Sequence, residues 1–476
     1  MHIINNQPPA RLRLLAGITL ITLLGGCATL SPDAGFSSVE SMAKERLNKD
    51  VKWVKTDADK QAVHGRVQEL LTKPLSADDA VQIALLNNPS LQATYSILGI
   101  AEADLVQAGR LHNPGFSFAR LERADVFEYE RKFIFDVFGL LIIPTRTKLE
   151  TRRFEQTRLA VSAEVMRVAA QTRRAYIDAV AAQQTAAYMD DVKMAGEASA
   201  ELAARMAKVG NWSKLDQARQ QAFYVEVVAQ QAKTKAAQFS ARENLTRMMG
   251  LWGAEAQFKL ADRLPDLPKA PLEIANLEQG AIANRLDVQM AKMEAEGLAQ
   301  SLGLTKASRF VNVLDMSYIN NSETGLPNKT GYEIELQLPI FDWGDAKVAK
   351  AEAIYMQALN RVATVAVNAR SQAREAYVGY RTAFDVAKHY RDELVPLRQK
   401  ISDENMLRYN GMLIGVFELL TGAREQMASV NLYIGAVRDF WIADANLQMA
   451  TTGNGGTGGN AMADVAMPSG GDSGGH

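Results

Sequence analysis

The amino-acid sequence predicts a mainly α-helical chain with a membrane β component. Its parts are a long coiled-coil helical barrel and an antiparallel transmembrane β-barrel to which each chain gives about four strands. Three observations carry this. Short segments recur in the same order at near-equal offsets, so the chain reads as a tandem duplication. Each half holds a helix-forming stretch of more than sixty residues. Each half then ends on a return helix whose apolar residues keep a 3,4 spacing, the period that winds helices around one another.

Residues 1–26 read as a signal segment. Arg11 and Arg13 precede an eleven-residue apolar run, 14–24, which is too short for a bilayer helix of about 20 residues. Leu24-Gly25-Gly26-Cys27 closely resembles the bacterial lipobox. The resemblance implies cleavage before Cys27 and lipidation of its thiol and new amine. Several acyl chains at about 0.8 kcal/mol per buried CH₂ make a lasting anchor. Ala28 follows where an Asp would signal retention at the inner membrane, so the outer membrane is the expected address. Residues 1–26 carry two Arg and no acid, so their removal takes the net charge from −1 to −3. The rest divides into a lipidated segment 27–75, a first repeat 76–250, a linker 251–271, a second repeat 272–450 and a Gly-rich tail 451–476, read as disordered.

The repeats are matched piece by piece. Asn87, Leu91 and Gln92 meet Asn284, Val288 and Gln289 at an offset of 197. Ile134-Phe135-Asp136 meets Ile340-Phe341-Asp342 at 206, and Leu215, Ala218 and Arg219 meet Leu420, Ala423 and Arg424 at 205. Ser76 with Asp79 resembles a capping box, and Asn88-Pro89 breaks and restarts a helix. Phe116, Phe118 and Leu121 begin one strand, and Phe133, Phe135 and Val137 mark a second. The second half alternates more clearly, with Ile334, Leu336 and Leu338 on one face against Glu333, Glu335 and Gln337.

Long helices follow each strand pair. The 64 residues 145–208, free of Pro, can extend ~96 Å. The 65 residues 344–408 have one expected kink, at Pro396. The return helices carry seams at Leu215, Ala218, Ala222, Val225, Ala229, Ala232, Ala236 and Phe239, and at Leu420, Ala423, Met427, Val430, Ile434, Val437 and Trp441.

Composition closes other routes. Fifty-three Lys and Arg balance 54 acids, so no global field favours nucleic acid. One cysteine rules out a disulfide framework and thiolate-rich metal sites, and the five histidines lie far apart. No P-loop occurs. Neither a cofactor nor an enzymatic activity is expected.

Four strands cannot close a membrane barrel, since open edges are not tolerated in lipid and the smallest barrels have about 8 strands. Three copies sharing one barrel give twelve. Asn87-Asn88-Pro89-Ser90-Leu91, Ala101-Glu102-Ala103, Leu338-Pro339-Ile340-Phe341-Asp342-Trp343-Gly344 and the paired long helices resemble the outer-membrane factor (TolC) family of export ducts, over residues 70–450. The resemblance implies a homotrimeric duct that crosses the outer membrane, extends into the periplasm and docks a periplasmic adaptor joined to a proton-driven inner-membrane pump. Lipidated family members fit Cys27.

Docking is expected at the hairpin tips Val209-Gly210-Asn211-Trp212-Ser213 and Gly411-Met412-Leu413-Ile414-Gly415, unless these are only helix-reversing turns. Trp212, expected to be exposed, favours contact. At offset 205 Gly210 pairs with Gly415, which leaves Gly411 unmatched. Glu418 aligns with an acidic position that family members place at the periplasmic mouth, while Thr421 departs from a second one. A threefold ring of Glu418 would favour cations; a solvated helix charge is the other reading.

Two other function classes remain open at this point. A structural coiled-coil outer-membrane lipoprotein explains Cys27 and the seams but not the amphipathic strands. A hydrolase has in its favour only Gly471-Asp472-Ser473-Gly474-Gly475, in a tail with no chain left to build a site. The cargo and the identity of adaptor and pump are not encoded.

Overall fold

The computed structural model describes residues 29–310, 313–337 and 339–453. Cys27, the signal segment, Leu338 and the Gly-rich tail lie outside them. The chain forms two compact units. One holds 97–157 and 292–361 with the leading residues 29–35; the other holds 36–96, 158–291 and 362–453.

The elements run in order as α1 (Ser37–Leu47), α2 (Asp57–Leu71), α3 (Ala77–Asn87), α4 (Pro89–Ala108), β1 (Gly115–Arg123), β2 (Val126–Asp136), α5 (Val137–Lys208) and α6 (Lys214–Met249). Then follow α7 (Leu277–Asn284), α8 (Leu286–Ser308), β3 (Leu314–Glu323), β4 (Lys329–Leu336), α9 (Asp345–His389), a π-turn (Tyr390–Leu394), α10 (Val395–Asn410) and α11 (Val416–Thr452). Both halves thus read helix, helix, two strands, long helix, return helix. Among the described residues no helix is long and apolar enough to cross a membrane.

The first unit is built on one antiparallel sheet in the order β1-β2-β3-β4. The second strand ends one residue sooner than the sequence suggests. Asp136 Oδ1 accepts from the Gly139 amide at 2.6 Å, so Asp136 caps a helix that begins at Val137. As a result α5 is 72 residues long and takes in Pro144 near its start, where the missing donor leaves only the Leu140 carbonyl without its intrahelical partner. Pro396 is absorbed differently: the turn before it widens to a π-helix, so the long element divides into α9 and α10.

The second unit packs its core between the amino-terminal helices and the long pairs. Val67, Leu75, Ile83, Tyr176, Val180, Leu245, Met249, Tyr380, Phe384, Val437 and Phe440 are its buried centre. Phe440 touches Tyr380 and Phe384 with ring centroids 5.4 and 5.7 Å apart. Asn87 and Asn88 explain the motif that opens the first repeat. Their amides donate to the terminal carbonyls of α6, to Gly250 at 2.9 Å and Met248 at 2.8 Å. Asn88 Oδ1 also accepts from Ser90 and Leu91 and so starts α4. In the second half Arg285, only 1% exposed, donates to the Ala450 carbonyl near the end of α11 and pairs with Asp287. Gly250 closes α6 at φ +68, with the Asn87 carbonyl 2.7 Å from where a Cβ would stand.

The two seams part company. Every residue expected on the α6 seam is exposed on the single chain. Over the seam this helix instead buries Val227 against Met189 and Val192 of α5, and Gln220 beside Ser199, also of α5. On α11, Ile434 and Val437 are buried and the other five seam positions half-buried.

Candidate duct lining and docking tips

The sheet has an apolar and a charged face, because alternate residues of a strand point to opposite sides. The register sets Phe116, Phe133, Tyr318 and Tyr332 in one row, and Phe135, Met316 and Ile334 in the next. All seven are exposed, from 42% at Phe133 to 74% at Tyr332. The other face holds Glu128, Glu130, Lys132, Glu333 and Glu335, with Lys132 Nζ 2.8 Å from Glu333 Oε1. Leu121, which the sequence places in the same strand as Phe116 and Phe118, lies on this charged face opposite Glu128. Both edge strands, β1 and β4, are open on the single chain.

The two tips are built differently. In the first, Asn211 donates to the Met206 carbonyl at 3.0 Å while Gly210 sits at φ +81, a left-handed helix end that glycine adopts without strain. Ser213 Oγ then accepts from the Asp216 amide at 3.1 Å and starts α6. In the second tip, Leu413 donates to Arg408 at 2.8 Å and the left-handed residue is Met412, at φ 57. Gly415 precedes α11 without a side-chain cap. By role in the turn, then, Gly210 answers to Met412 and Ser213 to Gly415, three residues out of step with the seams. Exposure differs as well. Trp212 is half-buried rather than exposed, and Ile414 is half-buried too. Met412 and Leu413 stand out at 94% and 77%, and Val209 at 69%.

Glu418 is exposed in the first turn of α11, where a carboxylate complements the helix dipole. Beside it lie groups that sequence reading missed. The Arg219 guanidinium of α6 lies 5.4 Å from the Phe417 ring of α11, and the Arg424 guanidinium of α11 lies 3.8 Å from the Phe223 ring of α6. Each helix thus lends an arginine to the other's phenylalanine. Arg424 also donates to Gln220 Oε1 at 3.3 Å, and Ser199 Oγ of α5 donates to the same oxygen at 3.2 Å. Burial holds the Arg424 guanidinium below its ordinary pKa. The sequence did align Arg219 with Arg424, but pairing across helices is not visible in an offset. Gly422 packs against α10 so closely that an added Cβ would lie 2.5 Å from Asn405 Nδ2. Among the described residues no cluster of acidic, His or Cys side chains suits a metal ion.

No protein-family model matches the chain, and no curated protein does either. Solved structures do. The CmeC outer membrane channel of Campylobacter jejuni superposes with a TM-score of 0.69 at 13% identity, over 90% of this chain and 94% of that one. A membrane protein from Pseudomonas aeruginosa gives 0.68 at 19% identity, over 79% and 92%. The outer membrane protein VceC of Vibrio cholerae gives 0.66 at 15% identity, over 79% and 96%. Nearly whole chains are matched at low identity, so what is shared is the arrangement of strands and long helix pairs. The chain has the fold of the outer-membrane factor, TolC-type, channels.

Proposed function

We propose that the chain is the outer-membrane channel of a tripartite export system: a passive homotrimeric duct, anchored by lipid at Cys27 and open to a periplasmic adaptor and an inner-membrane pump. The observation that carries this is the four-stranded sheet with one exposed apolar face, one charged face and two open edges. Such edges cannot stand in lipid, and three copies joined edge to edge remove them in a twelve-stranded barrel. The apolar face then meets the bilayer and the charged face lines water. The exposed α6 seam supports the same assembly, because a 3,4 stripe of small residues left open on one chain suits a helix of the next copy. The tandem duplication accounts for the repeated element order. Transport through such a duct needs no cofactor and no bond-making chemistry.

Docking of the adaptor at the tips is supported by Met412, Leu413 and Val209, the large apolar residues most exposed there. Glu418, exposed and early in α11, serves as the ring at the periplasmic mouth in this reading.

Conductance in planar bilayers, with detergent-resistant trimers on native gels, is the test. Leu336→Pro removes a ladder donor within the bilayer, where no water replaces it, and should abolish trimers and conductance together. Cys27→Ser, given a compatible cleavage site, should lose the lipid yet stay in the outer membrane. Release of soluble folded protein by Cys27→Ser would overturn the barrel.

A further inference from the structure

The outward face of the sheet turns polar toward the hairpin turns, at one level on β2, β3 and β4 and one pair later on β1, with Tyr129 and Phe127 following on β2. Running toward the hairpin turns, Phe116 and Phe118 give way to Arg120 on β1, and Phe135 and Phe133 to Arg131 on β2. Met316 and Tyr318 give way to Asn320 and Ser322 on β3, and Leu336, Ile334 and Tyr332 to Thr330 on β4. The register places Arg131 opposite Phe118 and Asn320, and Arg120 opposite Tyr129, so the two arginines are diagonal neighbours on that border.

Their partners leave charge to spare. Arg131 donates to Asn320 Oδ1 at 3.2 Å and Ser322 Oγ at 3.5 Å, both neutral acceptors. Arg120 reaches Glu122 Oε2 at 3.4 Å, an exposed pair worth little against solvent. Its guanidinium lies 4.6 Å from the Phe127 ring, and that of Arg131 lies 6.0 Å from the Tyr129 ring. Arginines backed by aromatic rings at the edge of an apolar band sit at headgroup depth, where aromatic residues also concentrate. A guanidinium fork matches two phosphate oxygens at once.

We propose that Arg120 and Arg131 form a site for the phosphate of an outer-leaflet lipid headgroup, one site per chain around the barrel. The inference rests on the channel reading above: with the long helices on the periplasmic side, the hairpin turns face outward and this border meets the outer leaflet. The acyl chains lie along the aromatic rows while the phosphate bridges the two guanidinium groups.

The test uses the full-length trimer in detergent, titrated with lipid A, a bis-phosphorylated glucosamine disaccharide lipid, and with the same lipid after phosphatase treatment. Wild type should bind the phosphorylated form, and Arg120→Gln/Arg131→Gln should weaken it by at least about tenfold. Arg123→Gln/Lys329→Gln, an equal loss of two charges on the opposite face near the hairpin turns, should leave it within about twofold. Equal binding by the double variant, or equal binding of the dephosphorylated lipid, overturns the site. Inorganic phosphate competing at the lipid's own concentration overturns it in favour of a free-phosphate site. Conductance of each variant confirms the barrel is intact. Loss of binding with conductance kept supports the site, whereas wild type that binds lipid but neither trimerises nor conducts refutes the channel reading instead.

Discussion

Helices α6 and α11 carry the same 3,4 pattern of apolar residues, yet within one chain they are used in opposite ways. On α11 the stripe is packed, with Ile434 and Val437 at 4% and 5% exposure. On α6 the stripe faces away from the chain, with Val225 and Phe239 at 57% and 67%. Along the seam α6 buries a polar-flanked face, Gln220, which meets Arg424 and Ser199, and Val227, before its end enters the core at Leu245 and Met249. A period defines a stripe and its curvature. It does not say whether the partner is the same chain or another copy.

The sharpest way to break this comparison is to place a charge in each stripe. Val437→Asp buries an unpaired carboxylate in the core and should cost at least about 3 kcal/mol, a large share of a typical stability, so the helical circular dichroism should melt at a clearly lower temperature. Ala229→Asp should leave the helical signal of the chain in place and remove the trimer on native gels. Should Ala229→Asp instead unfold the chain with its trimer contacts already dissociated, α6 has an intrachain partner and the contrast fails.

Cavity formation gives a second, graded contrast. Phe440→Ala removes a ring touching Tyr380, Phe384 and Trp441 and should cost about 3–5 kcal/mol. Phe239→Ala, measured in the dissociated chain, should fall within about 0.5 kcal/mol of wild type, and reveal its cost only as weaker trimers. Comparable losses for both in the dissociated chain would place Phe239 in a core.

How far the sequence could be read follows from the same distinction. The strand pairs, the long helices, the restart at Asn88-Pro89 and the turns at both tips were legible, because each is set by local chemistry: alternation, a missing amide proton, a capping oxygen. One capping oxygen was missed, that of Asp136, which starts α5 and cuts β2 short. Other groups went unseen because a distant partner decides them. The Arg424–Gln220–Ser199 contacts needed three helices to be brought together before they existed. At the second tip the residue that must turn left-handed is a methionine, so the glycines on either side gave no sign of it.

That tip supplies a smaller test. Met412 at φ 57 carries a left-handed strain of roughly 1–2 kcal/mol, partly offset by the smaller freedom of a methionine in the unfolded chain. Met412→Gly should therefore raise the melting midpoint slightly while weakening adaptor binding, since it also removes a 94% exposed apolar side chain. Gly210→Met at the first tip should do the reverse and lower stability by about 1 kcal/mol. If both substitutions destabilise equally, the two turns are alike and their difference carries no meaning.

The smallest expected effect is a pH dependence confined to the packed helix. Asp444 of α11 is half-buried, and loss of solvent raises its pKa above the ordinary carboxylate value, against opposing pulls from Arg173 and a hydrogen bond from Gln448. Asp178 of α5 is raised for the same first reason. A folded-state pKa above the unfolded one means the fold favours the protonated acid. The resulting stability is present below the unfolded value, about 3.9, and is lost as pH rises through the higher folded value. At pH 7 the ionised Asp444 therefore works against folding, and Asp444→Asn should raise the melting midpoint there. The gain should shrink as pH falls through the raised folded value and vanish below the unfolded one, where wild type carries the proton as well. Glu197→Gln, on an exposed position of α5, is the matching control and should not change stability at either pH. A loss of stability in Asp444→Asn at pH 7 would mean that its attraction to Arg173 and its bond from Gln448 outweigh its desolvation, and that the packed face of α11 tolerates charge as readily as the open face of α6.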